Sequence, residues 1–219
     1  MGTFAARVAS NLGLGADLRL LTLALDDRAA FDFQAGQFVV VPLPTPEGEK
    51  PRKGYYTLAS APQARAVQLI VEHRPGSGPV SAAMAALAEG SVLQLEGPQG
   101  KPGLAPDASA RAFFCQPSGL ATARSLILAS LYAGAAEPHH LFLGGEGVLA
   151  NDWSRLMRSH PNFHLHQGPD LAALAARALQ PAPGLKLVLS GFNRDVEPLA
   201  AALQGAGFDP ATMKLEKYG

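Results

Sequence analysis

Residues 54–62 read Gly54-Tyr55-Tyr56-Thr57-Leu58-Ala59-Ser60-Ala61-Pro62. Tyr56, Leu58 and Ser60 alternate with Tyr55, Thr57 and Ala59, which is the period of a β-strand. Two aromatics and a threonine favour that strand, and Ala61-Pro62 ends it. A strand closing on Tyr, Thr and Ser offers a flat ring and two hydroxyls, a set suited to holding a planar heterocycle by its face and edge. The same residues also make a plain sheet strand with a half-buried tyrosine pair.

The neighbours on both sides are short strands. Arg19 to Leu25 is apolar at alternate positions, and Ala35-Gly36 turns into a β-branched run ending at Val41. Pro42 to Lys53 is a Pro/Gly/charged loop. Val67 to Glu72 forms a strand, His73 to Pro79 a loop, Val80 to Leu87 an alanine-rich helix, and Val92 to Leu95 a strand running to Gly97-Pro98-Gln99-Gly100. Short strands at this spacing with one helix predict an antiparallel barrel over residues 1–104.

The texture changes after the Pro/Gly/Ala/Asp linker Lys101 to Ser109. Ala112-Phe113-Phe114-Cys115 is wholly apolar, as strands buried on both faces are. Helices through Arg124–Tyr132, Asn151–Ser159, Leu171–Leu179 and Glu197–Leu203 alternate with strands at His140–Leu143, Phe163–His166, Leu185–Leu189 and Met213–Tyr218. That alternation predicts a doubly wound parallel sheet over residues 110–219. Ligands on such sheets sit at the carboxyl ends of the strands, here Gln116–Gly119, Gly144–Gly147 and Ser190–Arg194.

Composition narrows the function classes. The chain has 219 residues, 47% hydrophobic and 16% charged, which is a globular mixture. Zero net charge gives no electrostatic reason to expect nucleic acid or an anionic membrane. Met1 to Asn11 reads as neither a signal peptide nor a membrane span. The lone Cys115 rules out an internal disulfide, and a reducing, cytoplasmic setting is the default.

Three turns are candidate binding elements. Gly78-Pro79-Val80-Ser81 opens a helix, either as an anion site or as ordinary capping. Gln116-Pro117-Ser118-Gly119-Leu120-Ala121 stands where a dinucleotide pyrophosphate would lie, or is a plain strand-to-helix turn with one glycine and a Pro117 that removes a backbone donor. In Ser190-Gly191-Phe192-Asn193-Arg194-Asp195, Ser190 and Asn193 can bond a carboxamide or ribose and Arg194 can reach a phosphate, while Asn193 or Asp195 can equally cap the next helix. His139 and His140 look like a solvated loop. His160, His164 and His166 lack a carboxylate at ligand spacing, so no metal is expected there.

The order of these pieces resembles the ferredoxin–NADP reductase-like family of flavoprotein reductases. Tyr56-Thr57-Leu58-Ala59-Ser60 is similar to that family's flavin motif, Gly78 to Ser81 to its Gly-x-x-Ser phosphate loop, and Gly97-Pro98-Gln99-Gly100 to the turn closing its barrel. Gly119-Leu120-Ala121 resembles the end of its nucleotide loop, Gly191 falls where it has Cys-Gly-Pro, and Glu216-Lys217-Tyr218 is similar to its terminal Glu-x-Tyr/Phe. The resemblance implies an antiparallel flavin barrel followed by a nicotinamide-nucleotide domain. It implies FAD as cofactor, with FMN the alternative, and NADH or NADPH as hydride donor to the flavin. The electrons would pass to an acceptor or a redox partner protein. Tyr56, Thr57 and Tyr218 would be catalytic, the two rings flanking the flavin and Thr57 bonding near its N5. Ser60, Gly78, Val80 and Ser81 would join Tyr56 and Thr57 in holding the flavin. Gly119, Leu120, Gly191 and Asn193 would hold the nucleotide.

The chain departs from that pattern at Gly54, where the family has a phosphate-gripping Arg, and at Gln116 and Pro117, where it has glycines. It departs again at Thr122 and Ser190. Arg52, Lys53 and Arg74 are the cations placed to stand in for the missing Arg. Glu146 would repel a 2′-phosphate and favour NADH over NADPH. The departures also motivate a second expectation: a scaffold with weakened or lost cofactor binding, acting as a regulatory or interaction protein.

Overall fold

Alternate burial along the first half of the chain builds one antiparallel sheet. The computed structural model describes residues 2–15, 17–43, 52–75, 77–103 and 109–218. Parts of the expected loop Pro42–Lys53 and linker Lys101–Ser109, namely 44–51 and 104–108, lie outside these residues, as does Gly76. The described chain divides into one unit of residues 1–105 with 124–129 and another of 106–123 with 130–219.

The first unit carries β1 (Gly2–Gly13), β2 (Leu18–Leu25), β3 (Phe38–Leu43), β4 (Arg52–Thr57), β5 (Val67–Glu72), α1 (Pro79–Ala85) and β6 (Val92–Gln99). The strands order as β4-β3-β6-β1-β2-β5, all neighbours antiparallel. The sheet curls until its edges meet, where Leu58, just past β4, bridges Leu69 of β5. Leu21, Leu23, Val39, Val41, Leu69, Val71 and Leu95 fill the interior, with Val80 and Met84 of α1 packed on them. Each such fully buried side chain contributes about 1.5–3 kcal/mol.

β1 is the element that the sequence reading did not single out. Only Phe4, Ala6 and Val8 turn inward, beside exposed Arg7 and Ala9, so its apolar signal is thin. It is the strand that joins β6 to β2. β6 is longer than expected, continuing through Gly97-Pro98 to Gln99.

The second unit carries β7 (Arg111–Cys115), α2 (Leu120–Tyr132), β8 (His139–Leu143), α3 (Ala150–Ser159), β9 (Phe163–Gln167), α4 (Leu171–Ala178), β10 (Lys186–Phe192), α5 (Asn193–Gly205) and β11 (Met213–Tyr218), with residues 124–129 of α2 counted in the first unit. Its sheet is parallel throughout, in the order β11-β10-β7-β8-β9. The order reverses between β7 and β10, and a doubly wound sheet opens its binding crevice at that switch. Every residue of β7 is buried, as its apolar run required. One face of the sheet packs Ala112, Phe114 and Phe142 against α4 and α5. Among the described residues no helix is long and apolar enough to cross a membrane.

Candidate functional site

In the first unit β4 and the start of α1 form a cleft of about 650 Å³. Arg52, Lys53, Gly54, Tyr55 and Tyr56 line one side, and Gly78, Pro79, Val80 and Ser81 the other. Among the described residues no carboxylate lines it.

Tyr56 is the floor of this cleft. The strand period puts it on the face of Gly54 and Leu58, with its ring in the core cluster and 8% of the residue exposed. Burial raises the phenol's pKa above its ordinary value, and the Ser81 hydroxyl beside it works the other way. The ring also explains Gly54. A Cβ there would stand 2.6 Å from Tyr56 Cε2 and 2.6 Å from Val80 Cγ1, so no larger residue fits without displacing the floor.

The opposite face of β4 carries Lys53, Tyr55 and Thr57. Tyr55 is 67% exposed and meets the Phe38 ring at 6.0 Å. Thr57 is half-buried, in register with Phe38. Lys53 bonds Glu96 at 2.9 Å, which raises its ammonium pKa. Ser60 lies at the barrel's closure instead. Its hydroxyl accepts from Gln68 N at 3.2 Å, and its carbonyl accepts from Ser125 Oγ at 2.9 Å. Arg124 ties the same corner, donating to Ala59 O at 2.7 Å and Gln68 Oε1 at 2.8 Å. The structure thus gathers Tyr56, Gly78, Val80 and Ser81 into one cleft and leaves Thr57 and Ser60 outside its lining.

Arg52 and Lys53, two of the three cations expected to stand in for the missing Arg, line the cleft, and Tyr55 joins them. The strand period sets Arg52 on the face of Gly54 and Tyr56.

In the second unit the turns after β7 and β10 meet at the switch point. Gln116 leads into a short 3-10 turn, Pro117–Gly119, and then α2. Gly119 packs so closely on β10 that a Cβ would lie 1.9 Å from Ser190 O. Ser190 Oγ donates to Gly119 O at 2.9 Å, locking the two turns together. Ser190 is therefore a buried structural bond, and Gly191 beside it has φ +149. Leu120 is buried at the start of α2. Asn193 is exposed as the first residue of α5, whose N-cap, Phe192, makes no side-chain cap, and Arg194 lies over the Phe192 ring at 4.7 Å. Tyr218 is half-buried in β11, and its phenol shares a hydrogen bond with Thr122 Oγ1. The threonine that stands in the place of a proline is thus the partner of the terminal ring.

The histidines are structural neighbours of one another. His139 is buried, bonded to Ser130 Oγ at 2.8 Å and Glu137 O at 2.7 Å, and so is not the solvated residue expected. His140 Nδ1 lies 3.1 Å from His166 Nε2, and His164 stacks on His140 at 4.7 Å. Burial, then the neighbouring imidazoles, push His140 down to about 4. Cys115 is buried, and desolvation drives its thiol pKa far up.

Comparison with known proteins places this geometry. Residues 5–102 match the oxidoreductase FAD-binding domain family. A curated relative, ferredoxin–NADP reductase B of Sorangium cellulosum, is 35% identical over 141 residues, covering 64% of this chain and 56% of that protein. The chain therefore spans little more than half the length of that relative. Among solved structures, the cytochrome P450 reductase GcoB of Amycolatopsis superposes with a TM-score of 0.84 at 21% identity, over 99% of this chain and 69% of that one. A ferredoxin NADP+ reductase of Neisseria gonorrhoeae, solved with FAD and NADP, gives 0.79 at 16% identity over 98% of each chain. The cytochrome b5 reductase domain of Ulva prolifera nitrate reductase gives 0.77 at 20% identity over 97% and 96%. These structures carry the fold: an antiparallel barrel and a parallel nucleotide-type sheet. The comparisons thus show a match to the oxidoreductase FAD-binding domain over residues 5–102 and, over nearly the whole chain, the fold of these structures.

Proposed function

We propose that this chain is a flavin-dependent oxidoreductase that takes hydride from NADH or NADPH and passes electrons to a separate acceptor or redox partner protein. The observation that carries the reading is the cleft of β4 and α1. It lies inside the matched FAD-binding domain, is lined by two tyrosines and two cations, and among the described residues no carboxylate lines it. Those residues fit a ligand with a flat ring at one end and a phosphate at the other.

When bound, flavin supplies the redox chemistry, accepting a hydride and releasing electrons. The protein's part is position and electrostatics. Tyr56 gives the cleft an aromatic floor held by Gly54 and Val80. Thr57 offers a hydroxyl at the end of the same strand. Gly78 leaves open space where a side chain would stand, and Ser81 sets a hydroxyl on the cleft wall. Arg52 brings to the cleft the positive charge that residue 54 lacks, beside Lys53, whose ammonium is paired with Glu96. In the second unit Gly119, Leu120, Gly191 and Asn193 frame the carboxyl ends of β7 and β10, the place of a nucleotide on such a sheet. Tyr218, at the end of β11, is the terminal ring of the reading. FAD is the flavin that the matched domain favours, and Glu146 in the turn after β8 favours NADH. A reducing cytoplasmic setting accords with the single buried thiol.

The test is a titration of the flavin-stripped protein with FAD and, separately, FMN, followed by flavin fluorescence. FAD binding that weakens about tenfold or more in R52A/K53A supports the cleft as the site, the loss expected of a charge-assisted contact. A protein that takes up neither flavin overturns the reading and leaves the scaffold alternative.

A further inference from the structure

The barrel closes at a seam just past Thr57. β4 and β5 are the end strands of the sheet, and where they meet Leu58 bridges Leu69. Leu58 N donates to Gln37 O at 3.0 Å, and Ala59 N to Gln68 O at 2.7 Å. Gln68 N donates to Ser60 Oγ at 3.2 Å. The donors of this short segment are therefore held by the barrel itself.

Its carbonyls are held by α2. Arg124 Nη1 donates to Ala59 O at 2.7 Å and to Gln68 Oε1 at 2.8 Å, so one nitrogen spans both sides of the seam. Gln68 Nε2 donates to Thr22 Oγ1 at 3.3 Å, which turns its amide oxygen toward the guanidinium. Ser125 Oγ donates to Ser60 O at 2.9 Å. Arg124 is 7% exposed, and Ala59, Ser60 and Ser125 are buried with it. Keeping a cation this far from water is costly, and a planar, rigid fork is what the arginine brings in return. Two successive carbonyls are fixed in direction by two successive residues of one helix. Thr57 stands between this clamped segment and Tyr56, whose ring is packed in the core. Its backbone is held from both sides, and so is the direction of its hydroxyl.

We infer that Arg124 and Ser125 are positioning residues for the flavin, fixing Ala59 and Ser60 so that Thr57 presents its hydroxyl to the edge of the ring. The inference rests on the flavin reading above, which gives Thr57 that role. A displacement of about 1 Å in a group that orients reacting atoms costs up to about a hundredfold in rate, so a clamp two residues away has a functional effect as well as a structural one.

The experiment uses the FAD-loaded full chain and the variants R124M, R124K, S125A and T57A, with the doubles T57A/R124M and T57A/S125A. The readouts are the visible spectrum of the bound flavin and the single-turnover rate at which NADH bleaches it without oxygen, with Tm recorded beside them. R124M is expected to shift the spectrum and slow bleaching about tenfold, at an unchanged NADH concentration for half-maximal rate. R124K keeps a charged donor and is expected to restore the spectrum and most of the rate. S125A, the milder variant, is expected to lose about threefold and carries the test where R124M does not fold. Each double is expected to match T57A, because both residues act through one hydroxyl. A lowered Tm with spectrum and rate unchanged overturns the inference and leaves a stability staple. Losses that multiply in the doubles overturn it too. A wild-type chain that takes up no FAD fails the flavin reading and takes the inference with it. A chain that loads with FAD but is not bleached by NADH fails the donor reading alone, and the spectra of the variants and doubles then decide the inference.

Discussion

Tyr56 and Gly54 act as one packing unit, and that changes what residue 54 can be. The ring occupies the volume that any side chain at 54 would need. Gly54→Ala is expected to cost about 1–3 kcal/mol by overpacking, read from chemical denaturation. Gly54→Arg, which writes in the residue that the resembled family carries there, is expected to weaken flavin binding by displacing the floor of the cleft. Tighter FAD binding in Gly54→Arg would show that the ring yields freely. Cys115 gives a second residue-scale expectation. Its burial in β7 keeps the thiol protonated, so it should resist a thiol reagent in the folded protein and react at once in denaturant. The sequence made Tyr56 and Cys115 legible, the first by its motif and the second by its apolar run. It did not show that Gly54 is filled from two residues away, because a close approach is a property of side-chain direction and leaves no mark on composition.

The turn between β7 and α2 is fixed by its fit against β10. Gly119→Ala would set a methyl 1.9 Å from a backbone oxygen that cannot move aside. A loss of about 3 kcal/mol or more in stability is expected, seen as a lowered Tm. The β8–β9 pair carries the pH dependence. His139, His140 and His166 all have pKa values below the ordinary 6.5, His140 down to about 4, with burial the leading cause in each. The folded state then binds fewer protons than the unfolded chain between those values. Stability from these groups is complete above pH 6.5 and is lost as pH falls toward 4. A denaturation series across that range should show the fall, and His140→Phe should flatten it. The strand at His140–Leu143 was readable from its apolar residues. That His139 and His140 are partly or wholly buried was not, since Pro138 and two imidazoles look like a loop until β9 supplies neighbours. β1 was missed for a related reason: Ala6 and Val8 are too small a signal beside Arg7, and its place is set by pairing with β2 and β6.

At the scale of the molecule, the two halves of the chain announce two different sheets. Period-two alternation gives the barrel and unbroken apolar runs give the parallel sheet, and neither depends on a motif. The strand order 11-10-7-8-9 then names the binding edge of the second sheet without any ligand. The residues of the cleft were less legible. Arg52 and Lys53 line it on β4 outside any motif, and the turn after β7 carries Gln116 where the resembled family has glycine. The decisive measurement is the visible spectrum of the chain reconstituted with FAD and titrated with NADH without oxygen. A bound-flavin spectrum that bleaches on adding NADH is the expected result. A colourless chain that takes up no flavin, or a bound flavin that stays oxidised with both NADH and NADPH, would refute the reductase reading.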